Sequence, residues 1–119
     1  ISRFHLGKNM SEKVFLGIKN KINKLKQKIY NNFDSIDFLI LPTLNIKPPT
    51  IEQINDKEKY IFYNNLVLSN TRIANLFNLP AITIPIKKNY WLSFSIFCEK
   101  KKDEILLSVA QEIENVIYD

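Results

Sequence analysis

An α/β fold is predicted by the order of helix-like and strand-like patterns in this 119-residue sequence. A helical spacing of apolar residues near the N-terminus is followed by a continuous apolar run, and two more strand-like stretches precede a second helical pattern. Helix and strand signals that follow one another in this way are typical of a layered fold built on one sheet. No repeat or linker-like segment interrupts them, so we expect residues 1–119 to belong to one domain without an internal boundary.

An amphipathic helix is predicted over residues 11–33. Ser11 suits the N-cap, and Glu12 suits the first turn, where a carboxylate complements the positive end of the helix. The apolar residues recur every three or four positions along one face: Val14, Phe15, Ile18, Ile22, Leu25 and Ile29. Lysines occupy many of the other positions, which favours a solvated face over a nucleic-acid-binding stripe.

A strand buried on both faces is predicted for residues 37–41, because the run is largely apolar and Pro42 follows it. Residues 43–56 include Pro48 and Pro49 and have no clear period, which indicates an irregular surface loop. Residues 57–77 have helical character, in one helix or two.

Two more strands are predicted over residues 80–85 and 90–98, with a hairpin turn at residues 87–89. The closing helix is predicted over residues 101–118, with Asp103 and Glu104 near its positive end. Its apolar residues are expected to share one face: Ile105, Leu106, Val109, Ile113, Val116 and Ile117.

Composition narrows the range of functions. The formal charge of +5 comes almost wholly from lysine, whereas arginine, which nucleic-acid readers favour, occurs only at Arg3 and Arg72. The single cysteine, Cys98, permits no internal disulfide, and the single histidine, His5, argues against a metal site. We therefore expect no metal and no cofactor.

The sequence has no apolar run of the roughly 20 residues that a membrane span needs and no secretory signal. We expect a cytoplasmic protein without a membrane partner. The chain starts with Ile1 rather than methionine, which indicates the interior of a longer polypeptide.

Several motifs, taken in order, resemble the last quarter of amidase-signature enzymes. They are Arg3, Gly7, the run Asp37-Phe38-Leu39-Ile40-Leu41-Pro42-Thr43, Thr71, and the block Ala74-Asn75-Leu76-Phe77-Asn78-Leu79-Pro80-Ala81-Ile82-Thr83-Ile84-Pro85. In that family a helix ending in Asn-Leu-x-Gly-Leu-Pro feeds a strand similar to Ala-Ile-Thr-Ile-Pro. The resemblance covers nearly the whole chain and implies the C-terminal part of an amidase-type α/β/α sandwich with a mixed sheet. Residues 1–119 would then be the C-terminal segment of a single amidase domain, whose N-terminal remainder is the expected partner.

Two departures from the family pattern accompany these matches. Asn78 stands where the family usually has Gly, and Asn is the residue best able to replace Gly at positive φ. The family's next strand commonly has Pro-x-Gly-x-Gln, whereas this chain has Trp91, Ser93 and Ser95 at the three fixed positions, which predicts an altered pocket wall. Asn75 is expected to act as a structural cap near the helix end.

The resemblance implies hydrolysis or transfer at a C–N amide bond by a serine nucleophile. A second serine and a lysine would activate it, and backbone amides would stabilise the oxyanion. In the family these groups precede the region represented here, so no catalytic residue is assigned to this chain. Its own serines are interpreted as structural: Ser69, Ser93, Ser95 and Ser108. The segment is expected to supply sheet strands and part of the pocket for a small amide substrate.

One branch of the family is the A subunit of the tRNA-dependent glutamine amidotransferase, in which an Arg and an Asp hold the amino-acid head group. Counting from the shared motifs puts Ile22 at the Arg position, or Lys26 if one helical turn is lost, and Leu68 at the Asp position. These three residues are the predicted substrate contacts. An apolar pair favours an uncharged substrate, because burying unpaired charges is costly. The amidotransferase remains the leading branch, with its other subunits and, indirectly, tRNA as partners.

Two alternatives remain open. A non-catalytic binding or scaffold module derived from an amidase would fold alone, whereas RNA association driven by lysine would collapse as the salt concentration rises.

Overall fold

The structure is a computed structural model that describes residues 7–86 and 91–118. Its principal elements are α1 (Glu12–Asn32), β1 (Phe38–Pro42), α2 (Lys57–Val67), α3 (Thr71–Phe77), β2 (Ala81–Pro85), β3 (Ser93–Cys98) and α4 (Asp103–Tyr118). The predicted mixture of helices and strands is confirmed. A short 3-10 turn, Glu52–Ile54, lies in the loop between β1 and α2.

The helices begin where the sequence provides capping side chains. Ser11 Oγ accepts a hydrogen bond of 3.4 Å from the backbone N–H of Val14, which confirms Ser11 as the N-cap of α1. Asp56 caps α2 in the same way, through a 2.8 Å bond from the N–H of Lys59. The helical stretch over residues 57–77 is two helices, since α2 stops at Val67 and α3 starts four residues later.

The three described strands form one sheet in the order β1-β3-β2, and both pairs are antiparallel. Ile96 in the central strand lies opposite Ile40 on one side and Ile82 on the other. The antiparallel pairing of β2 with β3 confirms the hairpin, although its turn lies outside the described residues. The strands β1 and β2 run parallel to each other but β3 separates them, so the described strands do not form the expected mixed sheet.

Helix α4 covers one face of the sheet and builds the core there. Leu106 and Ala110 pack with Ile84, Ile96 and Cys98, and all five side chains are buried. Further along the same helix face, Ile113 and Ile117 pack against this cluster. The prediction was wrong for Val116 and Ile105, which are 81% and 53% exposed. The face that packs on the sheet starts at Leu106 and repeats every three or four residues, so these two residues lie outside it.

The prediction that the first strand is buried on both faces was also wrong. Ile40 is 54% exposed, and no residue of β1 is fully buried. Within the described part of the chain α4 contacts β2 and β3, and β1 lies at the sheet edge. Pro42 belongs to the strand itself, which an edge position permits because a proline there need not donate a backbone hydrogen bond.

The chain exposes more surface than its mass requires. Its accessible surface is 9506 Å², about 2,800 Å² more than the roughly 6,700 Å² expected of a compact monomer of this mass. Its radius of gyration is 17.4 Å, against roughly 13.5 Å for a compact chain of this length. The core between α4 and the sheet is therefore small relative to the chain.

Candidate functional site

The junction between α2 and α3 is attached to the end of β1 by side-chain amides. Asn70 Nδ2 donates a 2.6 Å hydrogen bond to the carbonyl of Pro42, the last residue of β1. Asn45 Nδ2 donates to Ser69 Oγ at 2.6 Å, and Ser69 Oγ donates in turn to the carbonyl of Leu66 at 2.6 Å. These contacts fix the backbone around Leu68, which is the C-cap of α2 and is half-buried.

A row of three hydroxyl groups crosses the sheet beside this junction. Ser95 Oγ, on the central strand, lies 2.9 Å from Thr43 Oγ1 and 3.0 Å from Thr83 Oγ1. The Ser95 side chain is only 4% exposed, whereas Thr83 is exposed on the outer strand. Because side chains alternate along a strand, the row lies on the sheet face opposite Ile96 and α4.

The hydroxyl row has one proton more than its own hydrogen bonds use. Three hydroxyls bring three protons, and the two bonds within the row consume two of them. One O–H group is therefore left over that could donate outside the row. The arrangement can donate a hydrogen bond to a carbonyl oxygen, but it contains no base that would activate a serine as a nucleophile.

The helix end that feeds β2 depends on Asn78. Its backbone is left-handed, with φ 56° and ψ 51°, and its N–H donates to the carbonyl of Ala74. Leu79 N–H also reaches that carbonyl, at 3.0 Å. Few side chains tolerate this conformation, and Asn is among them, as the sequence predicted. Asn75, the expected cap, is exposed on α3, so Asn78 ends the helix instead.

The hydroxyl of Tyr30 connects α1 to the turn at Asn78. It donates to the carbonyl of Asn78 at 3.0 Å and lies 3.4 Å from the carbonyl of Phe77. Burial, and after it the carboxylate of Glu99, raises the pKa of this hydroxyl. The group thus keeps its proton and remains a donor across the neutral range.

The family model Amidase matches residues 2–105, which is most of the chain. This chain belongs to the amidase family. The family cleaves C–N amide bonds, and membership accounts for the order of motifs from the first strand to the block around Asn75.

Curated relatives match parts of this amidase chain. The A subunit of glutamyl-tRNA(Gln) amidotransferase from Borrelia garinii subsp. bavariensis is 33% identical over 96 residues, which are 78% of this chain and 18% of that relative. The A subunit from Borreliella burgdorferi has the same identity, 33%, over the same number of residues, 96. The 2-amino-5-chloromuconic acid deaminase of Comamonas testosteroni is 39% identical over 54 residues, which are 45% of this chain and 12% of the enzyme. The chain therefore spans less than a fifth of the length of these relatives. No solved structure matches it significantly.

The predicted substrate contacts of the amidase chain lie on two elements. Ile22 and Lys26 are half-buried one turn apart on α1, and Lys26 Nζ lies 5.8 Å from the centre of the Tyr30 ring. Leu68 lies at the α2–α3 junction, next to the amides that hold β1. Their role as substrate contacts remains a prediction.

Cys98 is fully buried in the α4 core, where burial, together with the charges of Asp103 and Glu99, raises the pKa of its thiol against the opposing effect of Lys102. A buried, protonated thiol is a poor nucleophile.

Arg3 and His5 lie outside the described residues. Residues 7–86 and 91–118 contain no cluster of three metal-ligating side chains, and none of their helices is long and apolar enough to cross a bilayer.

The hydroxyl row is the feature that sequence analysis missed. The sequence indicated Ser93 and Ser95 as replacements for the family's Gly and Gln and as structural serines, and Thr43 and Thr83 as members of motifs. A signal was present, because Ser95 alternates with bulky apolar residues and so had to share a sheet face with neighbours on adjacent strands. The register that brings both threonines to it requires the folded sheet.

Proposed function

We propose that this chain is the C-terminal segment of a single amidase domain and completes an active site that hydrolyses a C–N amide bond. It supplies strands β1, β2 and β3 to a larger mixed sheet in an α/β/α sandwich. The nucleophilic serine and its serine and lysine partners belong to the N-terminal remainder of that domain. The family match over residues 2–105 carries this proposal.

Exposed apolar side chains and unpaired strand edges support the structural part of the proposal. Ile40 is exposed on a strand whose sequence suits burial on both faces, and both outer strands keep an unpaired edge within the described sheet. The apolar face of α1 also lies open, with Val14, Phe15 and Ile18 about half exposed. A larger domain would cover these surfaces and account for the excess accessible area.

The position of the α2–α3 junction supports a role in the substrate pocket. Asn70, two residues after Leu68, bonds to the carbonyl of Pro42, and the next residue, Thr43, lies 2.9 Å from Ser95 Oγ. This wall offers an apolar side chain and a hydroxyl donor, which suit the neutral acyl part of an amide. Ile22 or Lys26 would form the opposite part of the pocket.

The amidotransferase relatives named above match across 78% of this chain, which supports the glutamine-hydrolysing A subunit as the branch. In that case the partners are the other subunits of a cytoplasmic amidotransferase and, indirectly, tRNA. Leu68 and Ile22 at the head-group positions favour instead an amidase for uncharged amides. The proposed activity is therefore amide hydrolysis. Comparing the rates of hydrolysis of glutamine and of a neutral amide distinguishes the two branches.

Two measurements test the proposal. The isolated 119-residue chain should lack a cooperative urea transition, whereas the parent polypeptide should unfold cooperatively and release ammonia from an amide. A cooperative, monomeric transition of the isolated chain would favour the scaffold alternative. A parent polypeptide that folds but lacks the serine and lysine machinery would contradict the catalytic part.

A further inference from the structure

A cleft of about 360 Å³, lined by residues with polar side-chain groups, lies between α1 and the residues that follow β3. Asn23, Gln27 and Asn31 line it in one row of α1, at a spacing of four residues. Lys26 and Tyr30 form the neighbouring row, and Lys100 completes the lining. Each of these six side chains is cationic or able to donate a hydrogen bond, and none is acidic.

Both lysines of the cleft converge on one aromatic ring. Lys26 Nζ lies 5.8 Å and Lys100 Nζ lies 5.5 Å from the centre of the Tyr30 ring. The ring is held in place because the Tyr30 hydroxyl bonds to the carbonyl of Asn78. The attraction of each ammonium group to the ring partly offsets the repulsion between the two charges.

The positive charge of the cleft is not neutralised by the described residues. The ion pairs within residues 7–86 and 91–118 join Lys59 to Asp56 and Lys102 to Glu99, so neither cleft lysine has a carboxylate partner. Burial raises the pKa of Tyr30, and the carboxylate of Glu99 is near enough to raise it further. That carboxylate already forms an ion pair with Lys102, whose Nζ lies 3.1 Å from it. An adjoining cleft adds Lys101 and Asp103, which offset each other in charge.

We propose that this cleft binds a phosphate-type oxyanion between Lys26 and Lys100. A phosphomonoester carries a charge of about −1.5 to −2 at pH 7, which matches two ammonium groups. Lysine binds phosphate as a point charge, and the amides of Asn23, Gln27 and Asn31 offer more donors than the two oxygens of a carboxylate would use. The phosphate belongs either to a free small molecule or to an RNA chain. This inference does not depend on the amide-cleaving role, although it shares Lys26 with the alternative alignment of the substrate pocket.

The test is calorimetric titration of the full parent polypeptide with inorganic phosphate at low salt, and separately with a short RNA carrying or lacking a 5′-phosphate. Lys100→Gln and Lys26→Gln should each weaken binding about tenfold, because each removes one charged hydrogen bond. Lys24→Gln is the matched control, since Lys24 is on the same helix but outside the cleft lining. Lys100→Arg should retain binding.

The RNA titration distinguishes the two sources of phosphate. Tighter binding of RNA than of inorganic phosphate, weakened about tenfold in both cleft variants, would identify RNA as the source, and equal or weaker binding would identify a free small molecule. The proposal is overturned if neither ligand gives saturable binding, or if Lys24→Gln weakens binding as much as Lys100→Gln does.

Discussion

The hydroxyl of Tyr30 donates a 3.0 Å hydrogen bond to the backbone carbonyl of Asn78, a residue 48 positions further along the chain. This bond joins the end of α1 to the left-handed turn that starts β2. It therefore couples the helix carrying Ile22 and Lys26 to the strand that carries Thr83.

Tyr30→Phe in the parent polypeptide should lower the free energy of unfolding by about 1 kcal/mol, since it removes that bond and keeps the ring. Urea unfolding measures the change. Tyr60→Phe is the control, because Tyr60 is 52% exposed on α2. Equal effects of the two substitutions would mean that the Asn78 contact contributes nothing to stability.

Asn78 should tolerate glycine and resist alanine. Asn78→Gly keeps access to φ 56° and should change the unfolding free energy by less than about 0.5 kcal/mol, whereas Asn78→Ala should lower it by about 1 kcal/mol. Thermal unfolding of both variants provides the comparison. If alanine is accepted as well as glycine, the left-handed turn is not required in the folded parent protein.

Ser95→Ala should cost about 1 to 3 kcal/mol, because it leaves the hydroxyls of Thr43 and Thr83 without their shared partner. The control is Ser108→Ala on the exposed side of α4, which should be neutral. If the row also lines the pocket, Ser95→Ala should raise KM for a neutral amide in the same preparation. A normal KM together with lowered stability would restrict the row to a structural role.

The pair Ile22→Arg and Leu68→Asp should convert the parent enzyme toward glutamine. Arg and Asp at these positions supply opposite charges for the α-carboxylate and α-ammonium groups, and each good pairing is worth roughly 1.5 to 3 kcal/mol. We expect kcat/KM for glutamine to rise at least tenfold and that for a neutral amide to fall. The double variant with Lys26→Arg in place of Ile22→Arg tests the alternative alignment. If both leave the ratio of the two substrates unchanged, these positions do not contact the substrate head group.

Cys98 should make stability fall at alkaline pH. Burial raises the pKa of its thiol in the folded state, so the unfolded state loses its proton first. The contribution is complete below the unfolded pKa of about 8.5 and is lost as the pH rises toward the higher folded pKa. Urea unfolding between pH 7 and pH 10 should show a steeper decline for the unmodified parent than for Cys98→Ala. Parallel declines would mean that the thiol titrates alike in both states.

Local patterns were sufficient to predict the elements of this fold. Ser11 and the apolar spacing of α1 depend on neighbours within one or two turns, as does the tolerance of Asn78 for a left-handed backbone. The motifs around Asn75 similarly predicted the amidase family, which the family match confirms. Such features are determined by the chain itself, because capping, periodicity and turn preference act over a few residues.

Tertiary structure alone decided which residues meet across the sheet and which faces are covered. The exposure of Ile40 follows from the position of β1 at the sheet edge, and the approach of Thr43 and Thr83 to Ser95 follows from strand register. The sequence predicted Lys26 as an alternative substrate contact, and only the fold places it with Lys100 beside Tyr30. These relationships join residues far apart in sequence, so they are set by how the elements pack and not by local preference.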